Sequence, residues 1–553
     1  MSYTKRIVLV GFSGTGKSTV ALLAADQLGW EAVDIDAEIE RTTGKSIPAI
    51  FRDEGESRFR DLERAILHAA LARDNVVVAA GGGVAAQPRA WDADALGSEG
   101  TLTIALDAPP EVVLDRLLMQ AAREGEAVER PLLAAADPLA RIHDLKADRL
   151  PAYDRAALTL SSASATPQVV AGEIASLVNV TRGEPLRHRL EAASGASDIF
   201  VGPGSIRRLG DLARDRWPKA QRAWIISDDN VGPLHGGATQ AALESAGFTV
   251  SAKWVPAGEG SKSLATVAAL YDWLLPSGIE RGDVVIALGG GMVGDLAGFV
   301  AATVLRGVGL VQVPSTLLAT VDSSVGGKTG INHGAGKNLI GAFLQPPIVL
   351  VDTDLLHSVP PRELRSGWAE VVKHAVIQRS TPGGERNDLT TVLQRNHRAL
   401  ENLRGPAIDY LIWRNIQLKG AVVAADERET GVRAYLNLGH TLGHAIEAAD
   451  YQLLHGEAVA VGMRGAAALG TWCETCTRSE AERIESLIRL FGLPLNATFD
   501  EEVVLQRMTS DKKRVAGRQR FVLPLSGGGV VIRDDVPEED VVDVLRLIGG
   551  AGR

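Results

Sequence analysis

Two sets of residues combine the types and the spacing that chemistry needs. Near the amino terminus, Gly11, Phe12, Ser13, Gly14, Thr15, Gly16, Lys17 and Ser18 follow the apolar stretch RIVLV and precede a helical pattern over 19–27. This is G-x-x-x-x-G-K-S between a strand and a helix, and each part has a task. Glycines let backbone N–H groups curl round phosphates, the helix amino terminus adds partial positive charge, Lys17 reaches the outer phosphate oxygens, and Ser18 can ligate Mg²⁺. The run predicts a nucleoside triphosphate site and leaves the acceptor open. The second set is Glu370 in SGWAEVVKHA, His440 and His444 in LNLGHTLGHAIE, and His455 in LHGEAVAVGM. His440 and His444 are four apart, on one helical face, and a third histidine with a carboxylate completes a donor set suited to Zn²⁺, with Co²⁺ as a replacement. Either histidine alone would read as a core residue; four groups on successive helical stretches read as a metal site.

Between these sets the run Gly289, Gly290, Gly291, Met292, Val293, Gly294, Asp295 follows the strand pattern DVVIALGG. Alone it is a poor dinucleotide fingerprint, because the spacing is not G-x-G-x-x-G and glycine-rich βα turns are common. Its neighbours make it informative. RGVGLVQVPSTLLATVDSSVGGKTGIN and GAGKNLIGAF place Lys328 and Lys337 on glycine-rich backbone, expected to be irregular, where lysines can hold a phosphate or carboxylate as point charges.

The elements that must position these residues follow from length and periodicity. A chain of 553 residues exceeds one ordinary core. Over 1–178, short apolar strands at 7–10, 76–79 and 102–106 alternate with amphipathic helical stretches, which predicts an α/β domain with a parallel sheet covered by helices on both faces. The polar, aperiodic stretch 179–197 reads as a linker. Alternation resumes over 198–360, with strands at 223–227 and 283–288, and long helical stretches take over in 361–553. The chain is thus expected to hold an amino-terminal α/β domain, then an α/β dinucleotide-binding half and a mostly helical metal-binding half.

Composition narrows the partners. A formal net charge of -10 and the lack of a long basic run exclude a nucleic-acid partner. No apolar run is long enough to span a bilayer and the first residues lack a signal-peptide pattern, so a cytoplasmic protein acting on small molecules is expected. The two cysteines, Cys473 and Cys476, exclude a disulfide framework and cannot by themselves fill a tetrahedral metal site; they are expected as two thiols on a helix.

Asp34-Ile35-Asp36 closes the apolar stretch after the phosphate loop. With GESRFRDLE over 55–63, the turn Gly81, Gly82, Gly83, the segment beginning at Arg130, and Arg149 in KADRLPAYDR, the first domain resembles shikimate kinase, from about residue 5 to 178. The resemblance implies a nucleoside-monophosphate-kinase-like fold. It gives ATP to Gly14, Thr15, Gly16, Lys17, Ser18, Thr19, Arg116 and Arg130, with Arg116 stacking on adenine. Arg130 would move in on a lid to neutralise the transferred phosphoryl group, with Lys17. Asp36 would orient the attacking hydroxyl of shikimate, Arg60 and Arg149 would grip its carboxylate, and Gly81, Gly82 and Gly83 would lie against its ring. Mg²⁺ would fall to Ser18 and, at one remove, Asp34.

From about residue 198 onward the strings are similar to 3-dehydroquinate synthase. By position, Glu370, His440 and His455 match that family's zinc ligands and His444 a neighbouring histidine on the substrate side. NAD contacts are implied for Asp228, Asn230, Glu259, Lys262, Gly290, Gly291, Asp295, Ser315, Thr316 and Asp322. Substrate contacts are implied for Arg306, Asp322, Lys328, Lys373, Arg433, Asn437 and one or both of Lys512 and Lys513, and Lys328, Lys337 and Asn338 are shared between substrate and NAD. Lys328, Lys373 and His444 would act in the reaction itself. Ser315 departs from the family's two threonines after Pro314, but keeps the hydroxyl. The implied reaction converts 3-deoxy-D-arabino-heptulosonate 7-phosphate to 3-dehydroquinate and phosphate, with NAD regenerated in each turnover. The resemblance also implies a homodimer through this second enzyme. Two rivals are a catalytically dead binding module and a different member of either superfamily. The first conflicts with intact Lys17, Asp36, Arg130, Glu370, His440 and His455, the second with the arginines and paired lysines fitted to acidic, phosphorylated substrates.

Overall fold

The computed structural model of the chain describes residues 3–124, 136–384, 388–449, 452–510 and 519–549. It divides into two compact units: Met1–Glu184 with Glu385–Ala407, and Pro185–Gly384 with Ile408–Arg553.

The first unit is built on strands β1 (Arg6–Gly11), β2 (Glu31–Asp34), β3 (Val76–Ala79), β4 (Thr101–Asp107) and β5 (Leu158–Ser161), ordered β2-β3-β1-β4-β5. All pairings are parallel. Val76 to Ala79 and Leu158 to Ser161 are buried along their whole length, as expected of strands covered on both faces. The core gathers Val8, Val10, Phe12, Val78, Val113 and Leu117, and helices Lys17–Leu28 and Ile47–Leu71 bring the site residues to the carboxyl edge of the sheet.

In the second unit, β6 (Leu186–Ala192), β7 (Gly195–Gly202), β8 (Arg222–Asp228), β9 (Thr249–Val255), β10 (Val284–Gly289), β11 (Gly309–Pro314) and β14 (Ile348–Asp352) form a sheet ordered β6-β7-β14-β11-β10-β8-β9. Alternate residues serve its two faces: Trp224, Ile226, Val285 and Ala287 enter one core, Ala223, Ile225, Val284 and Ile286 the other. Beyond the sheet, helices Pro361–Ile377, His440–Ala449 and His455–Trp472 carry the metal-type donors, and the helix Ala407–Ala425 carries Lys419. Glycines let these helices approach closely. A Cβ on Gly456 would lie 1.9 Å from the Ser366 carbonyl oxygen, and one on Gly462 2.0 Å from that of Gly439.

Four expectations need correction. The stretch 179–197 is no linker: the helix Pro167–Thr181 runs into it, and β6 and β7 form an antiparallel hairpin on the edge of the second sheet. Its polar alternation is that of a strand with one wet face, LRHRLEA reading buried at Leu186 and Leu190. The backbone around Lys328 and Lys337 is regular, an antiparallel pair β12 (Lys328–His333) and β13 (Gly336–Phe343), in which Gly330 and Gly341 face one another where a Cβ would clash. The helical half does not stay whole, since 385–407 belongs to the first unit, and it includes a hairpin, β15 (Phe521–Pro524) and β16 (Val530–Arg533). Cys473 caps the end of the helix His455–Trp472, and Cys476 lies in the turn that follows it.

Candidate active sites

In the first unit the phosphate loop joins β1 directly to the helix Lys17–Leu28. Gly14 and Gly16 have φ of 80° and 90°, a left-handed backbone that side chains resist. The loop so formed returns Lys17 Nζ to the carbonyl oxygens of Gly11 and Phe12 at 3.0 and 2.9 Å. Desolvation there lowers the ammonium to about 8, against the pull of Asp36 and Asp34. Thr15 donates to the Phe12 carbonyl at 2.8 Å, fixing the loop, while Ser18 and Thr19 stay exposed in the first helical turn.

Facing the loop, Asp34 ends β2 and accepts from the Ala37 amide at 3.1 Å, capping the helix Ile35–Thr43. Asp36 lies in that helix's first turn; burial and the charge of Asp34 raise its carboxyl, which suits a group that must hold a hydroxyl. The glycine run after β3 leaves no room for side chains. A Cβ on Gly81 would lie 2.1 Å from Glu63 Oε1 and 3.1 Å from Asp36 Oδ1, and one on Gly83 2.8 Å from Arg60 Nη1. Arg60 is held by Glu63 at 2.7 Å and Glu56 at 3.0 Å. Arg149 donates to the Gly82 carbonyl at 3.0 Å, as Tyr153 does at 2.6 Å, with its guanidinium 5.5 Å from the Phe12 ring centre. Asp36, Arg60, Arg149 and the glycine backbone therefore share one pocket beside Lys17. Arg116 lies at the far side of the loop, donating to the Ser162 carbonyl at 2.5 Å and near the Gly14 carbonyl at 3.5 Å. Arg130 lies outside the described residues.

Sequence reasoning missed Glu63, although the signal was present. It stands three residues after Arg60 in the same helix, only 1% exposed, and a buried carboxylate one turn from an arginine is a partner to be expected.

The second unit offers a crevice where strand order reverses, between the carboxyl ends of β8 and β10. Asp228 ends β8 and accepts from the amides of Asn230 and Val231 at 2.9 Å each. Gly290 and Gly291 open the helix Gly291–Thr303 after β10, an amino terminus open to pyrophosphate. Thr316 lies against Gly290, 3.2 Å from where a Cβ would stand, and the buried Ser315 amide bonds the Gly289 carbonyl at 2.9 Å. Lys262 Nζ meets Asp295 Oδ2 at 2.6 Å, and Glu259 accepts from Asn332, whose Oδ1 in turn accepts from the Asn338 amide.

Next to this crevice the metal-type donors converge. Nε2 of His440 and Nε2 of His455 each lie 3.5 Å from Oε1 of Glu370, which is fully buried. The His444 ring centre is 5.0 and 5.6 Å from the other two rings. Ligands about 2.1 Å from a tetrahedral Zn²⁺ stand about 3.4 Å apart, so the donors are spaced to share one ion. The local field agrees: burial would lower His455, yet Glu370 and Glu447 raise it to about 9, a site that favours positive charge. A second grouping, Asp322 with Glu370 and His374, also lies within ligand reach. There, however, Lys419 bonds Asp322 at 2.7 Å, so a cation would face an ammonium group already paired with one of its ligands. The other grouping within ligand reach is His440 with His444 and His455, and Glu370 Oε1 lies 3.5 Å from two of these rings, which makes it the stronger candidate for a metal.

Several residues expected on the substrate side lie near it. Lys373 bonds Glu370; Lys328 pairs with Glu429 at 2.5 Å and Lys337 with Glu447 at 2.7 Å. Arg433 is buried and bonds the carbonyls of Glu427 and Gly326, and Asn437 donates to Glu429 at 2.6 Å. Burial alone would raise Asp322, but Lys419 and Lys373 hold it well below the carboxylate range. Arg306 is not brought here. It is exposed before the amino end of β11, whereas Pro314 at the other end pairs with Gly289 beside the crevice. Lys512 and Lys513 lie outside the described residues. Lys419 was missed. It carries no motif, though a lone lysine in the apolar run LKGAVVAA of a buried helix marks a cation with an internal partner.

A P-loop phosphotransferase unit and an α/β unit with a dinucleotide crevice beside a histidine-carboxylate metal site define a two-enzyme polypeptide. Residues 13–179 match the family model for shikimate kinase, 252–366 that for the 3-dehydroquinate synthase N-terminal region and 367–514 that for its C-terminal region. The 3-dehydroquinate synthase of Picosynechococcus sp. is 41% identical over 363 residues, 65% of this chain and 97% of the relative. Two solved structures are similar to the same part. The 2-epi-5-epi-valiolone synthase from Streptomyces hygroscopicus subsp. jinggangensis, with NAD+ and Zn2+ bound, is 26% identical with a TM-score of 0.58, covering 64% of this chain and 96% of that one. A 2-deoxy-scyllo-inosose synthase complexed with carbaglucose-6-phosphate, NAD+ and Co2+ is 25% identical with a TM-score of 0.56, covering 65% and 99%. The chain belongs to the 3-dehydroquinate synthase family, with a shikimate kinase joined ahead of the synthase in one polypeptide. It is a bifunctional enzyme of the shikimate pathway.

Proposed function

We propose that each unit performs its family's reaction with the residues described above. In the kinase, Lys17 and the backbone of Gly14, Thr15 and Gly16 hold the ATP phosphates, with Thr19 beside them and Ser18 and Asp34 toward Mg²⁺. Arg60 and Arg149 bind the shikimate carboxylate, the backbone of Gly81, Gly82 and Gly83 lines the ring, and Asp36 orients the attacking hydroxyl. Arg116 faces the adenine, and Arg130 neutralises the transferred phosphoryl group.

In the synthase, Gly290, Gly291, Ser315, Thr316, Asp228, Asn230, Glu259, Lys262 and Asp295 form the NAD side of the crevice. Glu370, His440 and His455 would hold Zn²⁺ or Co²⁺, which would supply Lewis acidity at a substrate hydroxyl, and NAD in the crevice would supply reversible hydride transfer. Lys328, Lys337, Asn338, Lys373, Arg433 and Asn437 bind the substrate's phosphate and carboxylate, with Lys512 and Lys513 assigned to the same task. Asp322, fixed between Lys419 and Lys373, orients the substrate toward NAD, and His444 stands ready to move a proton. A homodimer would let Arg306, which lies before the amino end of β11, serve the site of a second copy. No helix of the described residues is long and apolar enough to cross a membrane, and two free cysteines suit a reducing cytoplasm.

The observation that carries the reading is the convergence of Glu370, His440 and His455 on one point beside Lys373. Its test is phosphate release from the heptulosonate phosphate after chelator treatment. Activity should vanish and return with Zn²⁺ or Co²⁺, while shikimate-dependent ADP formation returns with Mg²⁺ alone; chelator-insensitive phosphate release overturns it.

A further inference from the structure

The kinase fold is completed by residues that lie far downstream. Within the span that matches the synthase C-terminal region, 385–407 belongs to the first unit. There the helix Leu389–Arg395 packs against β5, the edge strand of the kinase sheet. An edge strand needs partners for its outward N–H and C=O groups. Asn396, 5% exposed, supplies both for one residue: its Oδ1 accepts from the Thr159 amide at 2.7 Å and its Nδ2 donates to the Thr159 carbonyl at 2.9 Å. The side-chain amide thus stands where the peptide group of a sixth strand would stand. The neighbouring Arg395 spans two carboxylates, Asp154 at 3.0 Å and Asp107 at 3.6 Å.

These anchor points lead to the kinase site. Ser162 follows β5, donates its amide to the Asp107 carbonyl at 2.7 Å, and is the residue that holds Arg116. Asp107 also pairs with Lys146 at 2.7 Å, on the helix Pro138–Tyr153 that carries Arg149 and ends at Asp154. We propose that Arg395 and Asn396 are positioning residues of the kinase: a clamp, supplied from within the synthase sequence, that fixes β5 and so sets Ser162 and Arg116 against the nucleotide base. The proposal rests on Arg116 facing that base.

The test uses the full chain, with Asn396→Ala, Arg395→Gln and, alongside, Arg116→Ala. Arg395→Gln removes only the ion pairs, so it remains informative where Asn396→Ala does not fold. The clamp predicts a severalfold higher KM for ATP in all three, with kcat and the KM for shikimate little changed. It also predicts faster hydrogen exchange at β5 amides in Asn396→Ala and Arg395→Gln, and an unchanged synthase rate. If Arg116→Ala raises the ATP KM and the foldable clamp variants do not, the clamp is overturned. If Arg116→Ala leaves it unchanged, the reading of Arg116 is at fault and the clamp falls with it. Loss of both activities in step, with β5 exchange unaltered, also overturns it.

Discussion

Adding one methyl group at Gly81 asks whether the glycine run is there to let Asp36, Glu63 and Arg60 share a pocket. Gly81 has an ordinary backbone conformation, so alanine brings no backbone strain, only a Cβ 2.1 Å from Glu63 Oε1 and 3.1 Å from Asp36 Oδ1. Glu63 cannot swing aside without cost: it is buried, and its other oxygen receives Arg60 at 2.7 Å as well as Gln87. Making room therefore breaks a charge-assisted bond worth about 1.5–3 kcal/mol and releases Arg60 from its place. At 1.4 kcal/mol per factor of ten, kcat/KM for shikimate should fall about 10- to 100-fold. The assay is ADP formation against shikimate concentration, repeated against ATP concentration, where KM should hold. Gly172→Ala is the control: in the helix Pro167–Thr181 its Cβ meets only Gln27 Oε1 at 3.5 Å, so its kinetics should match the parent's. A Gly81→Ala enzyme within about twofold of the parent for shikimate, or one weakened equally toward ATP, refutes the reasoning.

Two further substitutions probe the synthase. Asp409 is buried against Thr353 at 2.6 Å, and burial raises it to about 6 from an ordinary 3.8, so the folded state holds this proton more tightly than the unfolded one. Stability from that proton is present below pH 3.8 and is lost as pH rises through about 6, a difference of about 3 kcal/mol. Asp409→Asn should therefore melt a few degrees above the parent at pH 8 and near it at pH 4.5; parallel melting curves across that range would contradict this. Lys419→Met strips Asp322 of its nearest cation in a buried setting, with a cost to the second unit of about 3–5 kcal/mol and a severe loss of phosphate release. Kinase turnover should hold, and a synthase left at parental rate and stability would remove Lys419 from the site.

Much of the site was legible because it sits on motifs whose chemistry restricts their residues. Gly14, Gly16 and Lys17 are where a strand-loop-helix phosphate site needs them, and His440 and His444 share a helical face near His455 and Glu370. What sequence could not supply was partnership across distance. Glu63 and Lys419 act through Arg60 and Asp322, and nothing in their neighbours names those partners. Polar strands misled for a related reason: in β6 the inward face carries the polar His188 between Leu186 and Leu190, and in β12 and β13 glycines needed for close strand approach read as loop. The resemblance placed Arg306 with the substrate, but one copy of the fold puts it before the amino end of β11. The assignment of 385–407 to the kinase unit has no sequence signal at all, since Asn396 reads as an ordinary helix-end residue until Thr159 is seen against it.

The central claim, two independent active sites on one chain, is tested most directly by measuring both activities on Asp36→Asn and Glu370→Gln full-length enzymes. A crossed result is expected. Asp36→Asn abolishes shikimate-dependent ADP formation and keeps phosphate release from the heptulosonate phosphate, and Glu370→Gln does the reverse. Either substitution abolishing both activities while the chain stays folded would contradict it.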